Sequence, residues 1–329
     1  MLLSTVRSTI ATSTACVVCL LCAFSGFAET YYISSTGGSD VDSGITPTSP
    51  YRTLSRAGGL VRDGDTVLLR RGDVFRESFG PSVPDSGALS VMAYGPSDLP
   101  RPVVSGSMPI TGWTPYQGDI WVAAVDSAPR HLFVDNRMML IARYPNRGFL
   151  HVLAYLNGRI RAPELEDHPR DADGYFDGMR VRLRAHSWWH ELHTATNYQT
   201  SDHSFAIGGT LSESLAGWTF YLDDKLSELD TAGEWYHDAA AGKVYLWAPG
   251  SVDPNTVLVE GSVRSGGLSG SFTRVEEICF RHQTGTGLSA WGDDPLVERC
   301  TFEGIQTCAL QLPWVCDGGL VRHCVFSDN

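Results

Sequence analysis

The C-terminal part of the chain repeats itself. Val297-Glu298-Arg299-Cys300-Thr301-Phe302-Glu303-Gly304 returns as Val321-Arg322-His323-Cys324-Val325-Phe326-Ser327-Asp328, displaced by 24 residues. A looser copy, Val275-Glu276-Glu277-Ile278-Cys279-Phe280-Arg281-His282, precedes it by 22. A period in the low twenties, built of short β-rich strings with Gly, Asn and Asp between them, is the pattern of a β-solenoid. One such turn cannot bury its own apolar side chains, and stacking the next turn on it does. The last turn reaches Asn329 in mid-repeat, which predicts unpaired strand groups there and a chain that is the front part of a longer protein.

The first 28 residues read as an export signal. Arg7 gives the positive start, Ala15 to Phe24 an apolar run, and Gly26-Phe27-Ala28 a small-residue cleavage site before Glu29. The run is shorter than the roughly 20 residues that span a bilayer. The expectation is a secreted, periplasmic or extracellular protein with no membrane anchor after cleavage. Beyond the signal, 24 basic residues face 37 acidic ones, which argues against nucleic acid and anionic membranes as partners. A monomer is expected. Five of the eight cysteines lie after the signal, all in the repeats: Cys279, Cys300, Cys308, Cys316 and Cys324. Cys300 and Cys324 hold equivalent positions, about 4.8 Å apart on neighbouring turns. That spacing would admit a disulfide, but a buried ladder of small apolar thiols is the favoured reading.

Residues 29–110 show short strands with Gly/Asp/Ser turns, including Thr30-Tyr31-Tyr32-Ile33 and Gly64-Asp65-Thr66-Val67-Leu68-Leu69, with a short amphipathic helix over 55–61. From 111 to 262 the rhythm is lost. Longer alternating strands appear, such as Met179-Arg180-Val181-Arg182-Leu183-Arg184, and the region is rich in Trp, His and Asp. Coils resume over 263–329. The fold class expected is all-β: a right-handed parallel β-helix (a solenoid) interrupted by a β-sandwich-like insertion.

Several strings resemble secreted β-helix proteins that act on polysaccharides. They are Thr30-Tyr31-Tyr32-Ile33-Ser34, Gly38-Ser39-Asp40, Pro50-Tyr51-Arg52-Thr53-Leu54 and Gly64-Asp65-Thr66-Val67. A second set is similar to β-helix glycoside hydrolases with an inserted β-sandwich, families that include fucosidases and xylan-cleaving enzymes. It comprises Leu132-Phe133-Val134-Asp135, Ala142-Arg143-Tyr144-Pro145-Asn146 and Leu229-Asp230-Thr231-Ala232-Gly233-Glu234-Trp235-Tyr236. The resemblance implies hydrolysis of a plant or algal poly- or oligosaccharide by paired carboxylates. It places those carboxylates on later coils, beyond Asn329.

Glycoside hydrolysis needs two carboxyl groups, about 5–5.5 Å apart for retention and 6.5–9.5 Å for inversion. Asp293, Asp294, Glu303 and Asp317 are the carboxylates near repeat turns, and each also reads as an ordinary solvated turn residue. A polysaccharide lyase of pectate or alginate type would use basic groups, with Ca²⁺ as the one cofactor to consider. Arg281, His282, Arg322 and His323 stand at related repeat positions for that role. A non-catalytic glycan binder or adhesin is the third reading. His186-Ser187-Trp188-Trp189-His190-Glu191-Leu192-His193 has the wrong spacing for a zinc helix. On a strand, Trp188 and Trp189 would point to opposite faces, each a candidate sugar platform. Arg143 and Glu234 read as interface residues first and substrate contacts second.

Overall fold

The computed structural model describes residues 28–81, 89–186, 189–208, 217–313, 316 and 318–329, with the side chains of 185, 186 and 189 outside the description. The expected export signal over 1–28 therefore falls almost wholly outside it, as do Trp188 and Asp317.

Repeated apolar residues become columns. In one parallel sheet Val67 pairs with Val91, Val91 with Val275, Val275 with Val297 and Val297 with Val321. A second parallel sheet aligns Phe75, Val104, Phe280, Phe302 and Phe326. A third aligns Leu268, Leu288 and Leu310. The Phe280, Phe302 and Phe326 rings stack with centroids 5.0 and 4.7 Å apart. All three columns face one core, in which Val275, Phe280, Leu288, Val297 and Phe302 are fully buried. Burying each such side chain contributes about 1.5–3 kcal/mol. Only stacking delivers it, since a lone turn leaves both faces of its strand uncovered.

The corners between strands repeat too. Glu277, Arg299 and His323 adopt φ of 59°, 52° and 55°, each following one strand and leading into the next. At the following corner His282, Gly304 and Asp328 take φ of 64°, 60° and 54°. A left-handed residue turns the chain sharply, and the side chains held there cost about 1–2 kcal/mol each unless their surroundings fix them. The short helix forms one residue earlier than read, over Leu54–Gly58, where the Thr53 Oγ1 caps the Arg56 N–H and Leu54 and Ala57 enter the core.

Between Ser105 and Gly266 the chain leaves the stack. Strands Ser107–Pro109 and Val259–Ser262 run antiparallel to each other, Ser262 opposite Ser107, and zip the exit against the return. Inside that neck lie sheets that are antiparallel save for the pairing of Leu140–Ile141 with Glu234–Asp238, and they have their own cores. One core gathers Phe176, Val181, Leu183, Phe205 and Phe220, another Leu132, Trp235, Val244 and Leu246. Across the gap the stack is unbroken, because Leu89–Tyr94 pairs directly with Gly266–Glu276. Cys279, Cys300, Cys308, Cys316 and Cys324 carry free thiols. Among the described residues no helix is long and apolar enough to cross a membrane.

Candidate functional site at the junction of the two sheet systems

Strand Leu132–Val134 lies antiparallel to Val259–Ser262 and presents His131 and Phe133 on one side. That side rests on the corners of the parallel stack. The Phe133 ring stacks on the His282 ring with centroids 3.6 Å apart. A side chain at Gly304 would come within 3.0 Å of both rings, so only glycine lets the next coil approach here.

Beneath this contact is a buried polar cluster. Arg76 Nη1 lies 2.5 Å from Glu260 Oε1, and Glu260 Oε2 lies 3.7 Å from His282 Nδ1. The same Nδ1 is 3.1 Å from the Ser107 hydroxyl, which is 2.9 Å from that of Ser105. Burial, reinforced by Arg281 and Arg76, pushes the His282 pKa down to about 3. A neutral imidazole so weakly basic is a poor proton acceptor at neutral pH, and His282 acts as a packing pin.

Beside the cluster opens a cleft of about 480 Å³, walled by the antiparallel sheets and closed on the stack side by Gln306. Arg180, Arg182, Arg130, His131, His237 and Asp224 bring charge and hydrogen-bonding groups to it. Arg180 and Arg182 sit two apart on strand Arg180–His186, while Val181 and Leu183 between and after them are fully buried. Both guanidinium groups are oriented by Asp223, through Nε of Arg180 at 3.0 Å and Nε of Arg182 at 2.9 Å. Arg180 also reaches Asp224 at 3.2 Å. Asp224, held at φ 72°, has its pKa raised because burial outweighs that arginine. Burial lowers the pKa of His131, partly opposed by a hydrogen bond with Gln306, and among the described residues its Nε2 is buried without a partner. The cleft therefore offers guanidinium donors fixed by Asp223, an imidazole and the Asp224 carboxyl, a set suited to a ligand rich in hydroxyls.

The structure distributes the residues singled out in the sequence. It brings Arg281, His282 and Glu303 together: Arg281 Nη2 holds Glu303 Oε2 at 2.8 Å, and His282 is buried beside them. Asp293 and Asp294 are exposed on a separate turn, the Asp294 carboxyl packed against Gly318. Arg143 turns inward on its own loop, donating to the Pro145 and Gly148 carbonyls and stacking 3.7 Å from the Tyr221 ring centroid. Trp189 begins strand Trp189–Gln199. One expectation needs correction: Arg281 and Arg322 do not occupy related positions. Arg281 pairs with Glu303 in one sheet and Arg322 with Glu298 in another, because a corner intervenes.

Glu276 and Glu298 are stacked carboxylates on neighbouring strands, at a step near the retaining distance. They are locked in an arginine network. Arg274 lies 2.5 Å from Glu276, Arg322 lies 2.9 Å from Glu298, and Arg299 touches both glutamates. Such pairing offsets the repulsion of stacked charges and leaves neither oxygen pair free for chemistry. The cleft residues were missed in the sequence reading. Alternation in Arg180-Val181-Arg182-Leu183 was the available signal, since it places two arginines on one face of a half-buried strand.

No family model matches the chain. Over 85 residues, 24% of this chain and 5% of the relative, it is 29% identical to a lacto-N-biosidase of Bifidobacterium longum subsp. longum. A solved glycoside hydrolase superposes with a TM-score of 0.70 at 20% identity, covering 90% of this chain and 65% of that one. XylC in complex with xylose gives a TM-score of 0.40 at 15% identity, over 83% of this chain and 40% of XylC. The chain thus spans a twentieth of the curated relative and just under two thirds of the first solved structure, whose fold it shares.

Proposed function

We propose that this protein is a secreted glycoside hydrolase acting on an oligo- or polysaccharide, with the junction cleft as part of its substrate-binding wall. The stacked strands are read as a right-handed parallel β-helix, and residues 111–262 as an inserted β-sandwich-like domain. One observation carries the reading: the cleft of hydroxyl-seeking groups lies where the inserted sheets meet the stack, in a fold shared with a glycoside hydrolase. The segment resembling a lacto-N-biosidase adds lacto-N-biosides to the plant and algal glycans as candidate substrates. Within the cleft Asp224 is assigned to accepting a hydrogen bond from a sugar hydroxyl, and Arg182 and His237 to holding the ring.

The test is reducing-end release from xylan, fucan and lacto-N-tetraose by the full-length protein, with product spectra recorded. Hydrolysis with at least a tenfold lower kcat/KM in Asp224→Asn supports the reading. An ultraviolet-absorbing unsaturated product would establish the lyase instead, and binding without turnover would establish the adhesin. Export is checked on the same preparation, whose mature N-terminus is expected at Glu29.

A further inference from the structure

Strand Glu234–Asp238 serves two cavities. Trp235 and His237 face the junction cleft, so Tyr236 must face the other way. Across the sheet Tyr236 is paired with Tyr245, and Trp247 follows Tyr245 by two on strand Lys243–Trp247. All three aromatic residues share the face turned away from the cleft. Tyr116 adds a fourth ring, 4.9 Å from Tyr245 and half exposed. Over this face stands a cavity of about 790 Å³, bounded by Tyr116, Tyr236 and Trp247 on one side and the 225–230 segment on the other.

We propose that this cavity is a second carbohydrate-binding site, for a neutral oligosaccharide, separate from the junction cleft. Partly exposed aromatic faces are poor solvent-facing surfaces but good platforms for the C–H faces of sugar rings. Trp247 is fixed for the purpose, its Nε1 donating to the Ser251 hydroxyl at 3.1 Å. The charges at the rim decide between neutral and acidic sugars. Arg170 and Lys225 are matched by Asp119 and Asp230, and both cations already have protein partners. Arg170 donates to the Ser227 carbonyl at 2.5 Å, and Lys225 donates to the Tyr175 carbonyl with its ammonium 4.1 Å from the Tyr175 ring centroid. The cations are thus committed to the rim's own structure, whereas the Asp119 carboxylate is exposed to receive sugar hydroxyls. With two cations set against two carboxylates the rim carries no net positive charge, so a sulfated or uronate chain would gain no net attraction there.

The test is binding by calorimetry to xylohexaose, cellohexaose and lacto-N-tetraose, with oligogalacturonate as the acidic comparator. One of the neutral glycans is expected to bind at two sites, one of them weakened at least tenfold in Tyr116→Ala and Trp247→Ala but still present in Asp224→Asn. Tyr116 lies at the surface, so its variant tests the site without touching the core, and Tyr116→Phe restores affinity. Loss of binding in Asp224→Asn with none in Tyr116→Ala would move the site to the junction cleft and overturn the proposal. Preference for oligogalacturonate would overturn the ligand class. Because the readout is binding, failure here is distinct from failure of hydrolysis.

Discussion

Glu234 is the most exposed flaw in the energetics of this fold, though it is itself almost completely buried. It is 1% exposed, and no side chain among the described residues hydrogen-bonds its carboxylate, which only the Asp230 and Arg143 backbone amides approach. Burial first, and the Asp230 carboxylate second, raise its pKa from 4.5 to about 8, with Arg143 and nearby backbone amides only partly opposing them. A carboxyl whose folded pKa exceeds its unfolded value binds more protons in the native state across that interval. Stability therefore falls as pH rises from 4.5 to 8. At 1.36 kcal/mol per pKa unit the loss is about 2 kcal/mol at pH 6 and about 4 kcal/mol at pH 8. Glu234→Gln removes the titrating group and keeps the shape. Urea unfolding of both proteins at pH 6, 7 and 8 should show the variant gaining about 2 kcal/mol on wild type between pH 6 and pH 8. The comparison is a difference of differences, so any cost of fitting the amide cancels. Parallel pH profiles for the two proteins would refute the reasoning and mean that water or a shifted backbone amide satisfies the carboxylate.

His282 should act with the opposite sign. Its pKa falls from 6.5 to about 3 on folding, so its contribution is present above pH 6.5 and lost as pH drops toward 3. By pH 4 the loss is about 3 kcal/mol, and His282→Gln should flatten that acid limb in the Glu234→Gln background, where the compensating term is gone. Phe302→Ala opens the middle of a three-ring stack at full burial, and should cost about 3–5 kcal/mol in chemical denaturation. A cost below 1 kcal/mol would mean that the column is not packed as described.

How much of this was legible beforehand follows from how far apart the interacting residues lie. The valine and phenylalanine columns could be read because each partner recurs at a short, regular step, so Val275, Val297 and Val321 announce one another. The region that departs from the rhythm was visible as a change of pattern. Its sheets were not, since pairings such as Ser107 with Ser262 join residues far apart in sequence. The expected ladder of buried thiols holds for Cys279 and Cys300, while Cys324 on the next turn is only half-buried. Of the cleft, only the shared face of Arg180 and Arg182 could be read from alternation. The cleft's groups come from His131, Arg182, Asp224 and Gln306, which no local spacing connects. His282 looked like a groove residue because its repeat position suggests an outward face. The left-handed corner and the Phe133 ring laid over it reverse that reading.

The neck bears on the order of assembly. Leu89–Tyr94 must find Gly266–Glu276 across all the intervening chain, and closing so long a flexible segment costs roughly 4–5 kcal/mol of entropy if nothing inside it has formed. The zipped pair Ser107–Pro109 and Val259–Ser262 removes that cost in advance, because a folded insertion already holds its two ends side by side. Val263 and Arg264 both donate to the Gly106 carbonyl at 2.9 Å, so exit and return meet at one residue. The excursion is then topologically neutral: from the viewpoint of the stack it resembles a tight turn, whatever its length. A lineage building on such a stack can enlarge, replace or delete the excursion without changing the register of any coil on either side.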